Sequence, residues 1–208
     1  MNRYLCLDVG NVLGRLDMKP FIDKLYSIAG CNEASAYEFL GHIQKVQDLG
    51  LYTIENELKY KFNIHGDTLK ILLDSWNTIL TPHEKALAFY EEMIKECGLR
   101  VAIVSNVGIE HSKNFGVLFN KYNFFKNAIK HYSCDVGARK PTPIYYHMLT
   151  EMHPQFKGAV YVDDLEENLE TGEQMGLKSF HLNLSEIPDD SLALHYALDS
   201  LKNTIVNG

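Results

Sequence analysis

Arg3-Tyr4-Leu5-Cys6-Leu7-Asp8-Val9-Gly10-Asn11-Val12-Leu13 is the stretch on which the reading of the fold turns. A short apolar run, bounded at once by a carboxylate, a glycine and an asparagine, reads as a buried strand that ends in Asp8. In open parallel sheets, ligands occupy the crevice outside the carboxyl ends of the strands, so a carboxylate there is placed for chemistry. Taken alone, Asp8 reads more simply as a turn aspartate that stops a strand.

Further along, the same pattern returns. Leu99–Val104 reads as a strand ending in Ser105-Asn106, and Ala159–Val162 as one ending in Asp163-Asp164. Gly137-Ala138-Arg139-Lys140-Pro141 sets a cation just before a helix that runs from Pro143 to Met152, capped by Thr142. Thr81-Pro82-His83-Glu84 has the form of a capping box with proline at the first helical position, opening a helix that Gly98 closes. Helices over Glu110–Phe119, Glu166–Met175 and Ser191–Leu201 alternate with strands near Ala128–Tyr132 and Ser179–Leu182. Strands alternating with helices predict an α/β fold, a Rossmann-like parallel sheet with helices on both faces.

The first two strands are separated by about 90 residues, where a whole strand–helix–strand unit needs only about 30. The intervening chain has helical periodicity over Lys19–Gly30, Ala34–Val46, a segment capped by Thr53, and Asp67–Ile79, with no clear strand. The expected organisation is an α/β core of residues 1–16 and 81–208 and an inserted all-helical cap of residues 17–80. Within the insertion, Asp48–Tyr52, Phe21 and Trp76 are candidates for substrate contact, although aromatic and apolar residues there read more simply as the core of the cap.

Composition narrows the partners. A net charge of −7 disfavours nucleic acid and anionic membranes, while a small anionic substrate remains possible where cations gather. Cys6, Cys31, Cys97 and Cys134 are scattered without a C-x-x-C pair, as in a reducing compartment. No stretch approaches membrane-spanning length and no signal-peptide core is present, so a cytoplasmic protein is expected.

Parallel strands in one sheet put their carboxyl ends on one edge, so Asp8, Ser105-Asn106, Lys140 and Asp163-Asp164 can meet in one cleft. A nucleophile, a hydroxyl donor, a cation and paired carboxylates suit phosphoryl transfer through an aspartyl-phosphate with Mg²⁺ on hard oxygen ligands. Singly, Ser105-Asn106 reads equally as a turn, Lys140 as a surface charge and Asp163-Asp164 as a helix cap; their joint occurrence does not.

Asp8-Val9-Gly10-Asn11-Val12, Ser105-Asn106, Lys140-Pro141 and Val162-Asp163-Asp164 together resemble the four motifs of the haloacid dehalogenase-like (HAD) hydrolase superfamily, across essentially the whole chain. The D-x-G-N-V form is most similar to the branch that includes bacterial α-D-glucose-1-phosphate phosphatases. The resemblance implies Asp8 as nucleophile, Ser105, Asn106 and Lys140 as phosphate-binding residues, and Asp8, the Gly10 backbone carbonyl, Asp163 and Asp164 as the Mg²⁺ site. It implies a small phosphorylated metabolite, plausibly a sugar phosphate, as substrate. One departure stands out: most phosphatases of the superfamily carry a second aspartate, the general acid, where this chain has Gly10. That leaves a 2-haloacid dehalogenase, or a binding protein that has lost turnover, as alternatives. A sugar 1-phosphate, with its more acidic leaving oxygen, would suffer least from the loss.

Overall fold

The computed structural model describes residues 3–207. The chain opens with β1 (Tyr4–Leu7), turns, and forms the short β2 (Gly14–Leu16). Four helices follow, α1 (Lys19–Ala29), α2 (Glu33–Asp48), α3 (Ile54–Phe62) and α4 (Gly66–Asn77). The chain returns through β3 (Leu80–Pro82) into α5 (Glu84–Cys97), β4 (Arg100–Ser105), α6 (Ile109–Leu118), α7 (Asn123–Asn127), β5 (Ile129–Tyr132) and α8 (Ser133–Val136). It ends with α9 (Pro143–Met152), β6 (Val160–Asp163), α10 (Glu166–Gln174), β7 (Lys178–His181) and α11 (Leu192–Asn207).

Five strands form one parallel sheet in the order β5-β4-β1-β6-β7, with β1 at its centre. Side chains on a strand alternate between faces, and here the alternation divides two cores. Leu5, Leu7, Val101, Ile103, Val160 and Val162 pack into a cluster with residues of α5, α6, α7 and α11. Cys6, Ala102, Val104 and Tyr161 pack on the other face against Tyr145, Tyr146 and Leu149 of α9 and Leu169 of α10. Strands buried on both faces explain why β1, β4 and β6 read as continuous apolar runs.

Helices α1–α4 close around a third cluster that includes Phe21, Leu25, Phe39, Ile43, Leu58, Leu72 and Trp76. This unit connects to the sheet through an antiparallel ribbon, β2 against β3, which the sequence reading missed. Three-residue strands are too short to show a period. The ribbon needs Gly14, since a Cβ there would sit 2.7 Å from the Thr81 carbonyl oxygen.

The ribbon also corrects the expected helix start. Thr81 and Pro82 belong to β3, and the cap of α5 is His83, whose Nδ1 accepts from the Ala86 N–H. The Thr142 hydroxyl does not cap α9; it donates to the Arg139 carbonyl in the preceding loop. Thr53 does cap α3, accepting from the Asn56 N–H. The final helix runs six residues beyond the Leu201 at which the periodicity was expected to end, reaching Asn207.

Candidate active site

The register of β1 against β6 builds the centre of the site. Leu7 pairs with Val162, and the Asp8 N–H donates to the Val162 carbonyl at 3.0 Å. Asp8 and Asp163 therefore stand side by side, one step beyond the pairs, on the face that carries Cys6 and Tyr161. Lys140 enters from the loop before α9 and bridges them, its Nζ 2.9 Å from Asp8 Oδ1 and 2.5 Å from Asp163 Oδ2. It is only 2% exposed.

Asp163 has both oxygens engaged. Oδ2 accepts from Lys140 and the Tyr161 hydroxyl, and Oδ1 from the Leu165 N–H and Asn168 Nδ2. Asp164 is half-buried, and its Oδ2 accepts from Asn11 Nδ2 at 2.9 Å. Asn11 takes a left-handed φ of 51°, its carbonyl receives the Leu184 N–H, and its Oδ1 receives the Leu16 N–H. That residue thus ties the turn after β1 to Asp164. Asp8, Asp163 and Asp164 each offer an oxygen, all within 4.8 Å of one another, a set of hard donors that fits a divalent cation.

Ser105 closes β4 at the same edge, buried and lining the cleft. Asn106 joins it there, with both ends of its amide taken by the Lys140 main chain: Nδ2 donates to the carbonyl at 2.9 Å and Oδ1 accepts the N–H at 2.8 Å. Ser133 Oγ fixes the next turn by accepting from the Val107 N–H. All the residues singled out at the strand ends line one cleft except Asp163, which lies beneath it.

Burial pushes the Asp8 carboxyl up to about 7; Lys140 pulls it down, and Asp163 and Asp164 push it further up. Burial also acts to raise Asp163, yet Lys140 and the hydrogen bonds outweigh it and hold that carboxyl below its ordinary value. For Lys140 the desolvation that favours the neutral amine is overcome by Asp163 and Asp8, so the ammonium is held well above its usual range. Asp164 is raised by burial, opposed by the Asn11 bond. The cluster carries three carboxylates against one ammonium, an imbalance that one divalent cation would remove.

A cleft of about 390 Å³ lies between this sheet edge and the helical unit. From the helical side, Gln47 and Asp48 at the end of α2 and Trp76 of α4 line it. Asp48 Oδ2 pairs with Arg139, at 3.2 Å from Nε and 3.0 Å from Nη2. The Trp76 ring stacks on His111 at 4.7 Å, and His111 Nε2 bonds the Trp76 carbonyl at 2.9 Å. Among the described residues, Gln47 Nε2 and Trp76 Nε1 are buried without a hydrogen-bond partner. The two units touch closely: a Cβ on Gly50, whose φ is +71°, would lie 2.5 Å from the Cys134 carbonyl oxygen.

Of the expected contacts from the insertion, Asp48 and Trp76 line the cleft, while Phe21 and the rest of Asp48–Tyr52 do not. Phe21 is wholly buried in the helical core against Trp76, and Tyr52 is exposed outside the cleft lining. The sequence reading gave no separate role to Asn11, Gln47, Arg139, His111 or Asn168. Asn11 and Arg139 sit inside the motifs, and adjacency to Asp8 and Lys140 was their only signal. Gln47, His111 and Asn168 had none, since each reaches the site through packing of elements distant in sequence.

A larger groove of about 1290 Å³ lies at the amino-terminal edge of the strands, around Gly98, Arg100 and Gln155. It contains none of the converging carboxylates, and ligand sites in such sheets lie at the carboxyl edge.

No protein-family profile matches the chain, and no curated protein matches it. Solved structures do. A HAD family enzyme from Bacteroides thetaiotaomicron is 20% identical with a TM-score of 0.75, over 93% of this chain and 97% of that one. The same enzyme has been crystallised with magnesium and inorganic phosphate. A predicted HAD-like family hydrolase from Porphyromonas gingivalis is 15% identical with a TM-score of 0.70, over 97% and 98% of the two chains. An L-2-haloacid dehalogenase from Xanthobacter autotrophicus, with chloropropionic acid covalently bound, matches at 15% identity and a TM-score of 0.55, over 87% and 77%. The chain thus has the HAD-like α/β fold of these enzymes.

Proposed function

We propose that this protein is a HAD-type hydrolase, and specifically a Mg²⁺-dependent phosphatase of a small phosphorylated metabolite. The observation that carries the reading is the carboxyl-edge cluster, in which Asp8 lies beside a buried lysine and within 4.8 Å of oxygens from both Asp163 and Asp164. The Asp163-Asp164 pair argues against a metal-free displacement of halide, which gives Asp164 no cation to hold. The Bacteroides enzyme, solved with magnesium and phosphate, supports the same reading by likeness of fold.

In this reading Asp8 attacks the phosphorus through one carboxylate oxygen and the ester oxygen departs. Lys140, Ser105 and the backbone N–H groups after Asp8 hold the phosphoryl oxygens as charge develops on them. Asp8 and Asp164, with the Gly10 carbonyl, would hold Mg²⁺, and Asp163 completes the site by fixing Lys140. Held by these residues, Mg²⁺ would supply the positive charge that neutralises the phosphoryl oxygens. Water then attacks the aspartyl-phosphate, which releases phosphate and regenerates Asp8. Residues 17–80 act as the cap that covers the cleft and excludes bulk water.

Gln47 Nε2 and Trp76 Nε1, two unpaired donors on cap residues that line the cleft, suit a leaving group rich in hydroxyls, as in a sugar phosphate. Phosphate release from a panel of sugar phosphates and p-nitrophenyl phosphate, with Mg²⁺ and with EDTA, tests the reading against Asp8→Asn. Release that needs Mg²⁺ and disappears in the variant is expected. Halide release from 2-chloropropionate in EDTA would replace it with the dehalogenase reading.

A further inference from the structure

Protonating the leaving group is the one task in this reading for which the sheet edge supplies no residue. Gly10 stands where a general acid is usual, and a Cβ built on it meets only ordinary contacts, Asp8 Oδ2 at 3.7 Å and Leu16 Cδ2 at 3.8 Å. Asp8 is the nucleophile, Asp163 has both oxygens hydrogen-bonded, and Asp164 belongs to the metal site. Across the cleft stands another carboxylate. Asp48 ends α2, is 7% exposed, and lines the same cavity as Asp8, Ser105 and Lys140. Both of its contacts to Arg139 fall on Oδ2, so Oδ1 carries no ion pair or hydrogen bond among the described residues.

We infer that Asp48, delivered from the cap, is the general acid–base that Gly10 lacks. This assignment rests on the phosphatase reading and extends it. As Asp8 Oδ bonds to phosphorus and the P–O bond to the leaving group breaks, the Asp48 carboxyl gives its proton to the departing oxygen. In the second half, the Asp48 carboxylate takes a proton from the water whose oxygen bonds to phosphorus as the Asp8–phosphorus bond breaks. One proton leaves Asp48 and one returns, and the net change is hydrolysis of the ester. Its environment is suited to both duties: burial pushes the carboxyl up to about 6, against Arg139 and Lys140, the charged groups that act on it. Arg139 immediately precedes the lysine beside Asp8, so seating of the cap on the core brings acid and nucleophile into one cleft.

The test compares wild type with Asp48→Asn, whose side-chain carbonyl still accepts from Arg139, on an alkyl phosphate such as glycerol phosphate and on p-nitrophenyl phosphate. Turnover of the alkyl ester should fall about 10²–10⁴-fold, because a poor leaving group needs the proton. p-Nitrophenyl phosphate should give a burst of nitrophenol followed by slow turnover, with a phosphate adduct on Asp8 visible by intact-protein mass. Equal losses on both substrates with no trapped adduct would overturn the assignment and leave Asp48 as a structural tie to Arg139. A wild-type enzyme that releases no phosphate from either ester and forms no adduct would instead overturn the phosphatase reading. Should Asp48→Asn not fold, wild type decides: the ratio of alkyl to nitrophenyl turnover must fall as pH rises through the ionisation of Asp48. A ratio flat from pH 5 to 8, a range that brackets about 6, would sink the idea.

Discussion

The two sides of the cleft are built by different means. On the sheet side, Asp8 and Asp163 are placed by strand register, Lys140 is held by both carboxylates, and both oxygens of Asp163 are hydrogen-bonded. On the helical side, Gln47, Asp48 and Trp76 arrive on the ends of α2 and α4 with donors and an acceptor left open. Satisfied groups hold a geometry, and open ones are free to bind something that enters. Under the proposed function, the sheet edge is the reaction centre and the helices discriminate between substrates.

Breaking the sheet side should have the largest effect. Asp8→Asn is expected to abolish phosphate release and adduct formation while the protein stays folded, which circular dichroism and a phosphate assay would show together. Lys140→Met should cost function and also about 3–5 kcal/mol of stability in urea, because the buried Asp163 carboxylate loses its charge partner.

Asp163→Asn and Asp164→Asn sharpen the division within that side. Asp163→Asn should lower the urea midpoint, since it strips a buried ammonium of its closest counter-charge. Asp164→Asn should leave the midpoint nearly unchanged and weaken Mg²⁺ binding measured by calorimetry, as Asp164 is half-buried and its carboxylate accepts from the neutral Asn11 Nδ2, with no ion pair among the described residues. Equal stability losses would erase the distinction drawn between the two carboxylates.

On the helical side, smaller effects are expected. Trp76→Phe removes an unpaired donor but keeps a ring against Phe21 and His111, so KM for a sugar phosphate should rise more than kcat falls. Because Trp76 is the chain's single tryptophan, its fluorescence should also change when phosphate and Mg²⁺ are added. A spectrum indifferent to both would remove it from the cleft's binding surface.

The smallest effect concerns pH. Burial lowers the pKa of His111 and His131, with the Trp76 and Tyr145 carbonyls acting the other way. Their folded values lie below the ordinary 6.5, so the unfolded chain takes up protons first as pH falls. Their contribution to stability is full above that value and is lost as pH drops through it toward the folded values. Urea midpoints at pH 7.5 and 5.5 should fall more for wild type than for His111→Gln.

Much of this was legible in the sequence because the sheet obeys a period of two. Leu5, Leu7, Val101, Ile103, Val160 and Val162 announce buried strands, and the polar residue that ends each run marks the carboxyl edge where the candidate site lies. The β2–β3 ribbon escaped because three residues hold no period and Thr81-Pro82 read as the start of a helix. The place of Phe21 could not be read from sequence, because an aromatic residue on an amphipathic helix looks the same whether it fills a core or faces a ligand.

By itself, then, the sequence determined the α/β alternation, the helical insertion after the first strand, and which residues end the strands, since each is a local pattern of apolar spacing and punctuation. Tertiary structure alone decided that Lys140 bridges Asp8 and Asp163, that Asn106 locks the Lys140 main chain, and that Asp48 reaches the cleft beside Arg139. The physical reason is separation along the chain. Asp48 and Arg139 lie 91 residues apart, and only the packing of the helical unit on the sheet edge, which no local pattern encodes, brings their side chains into contact.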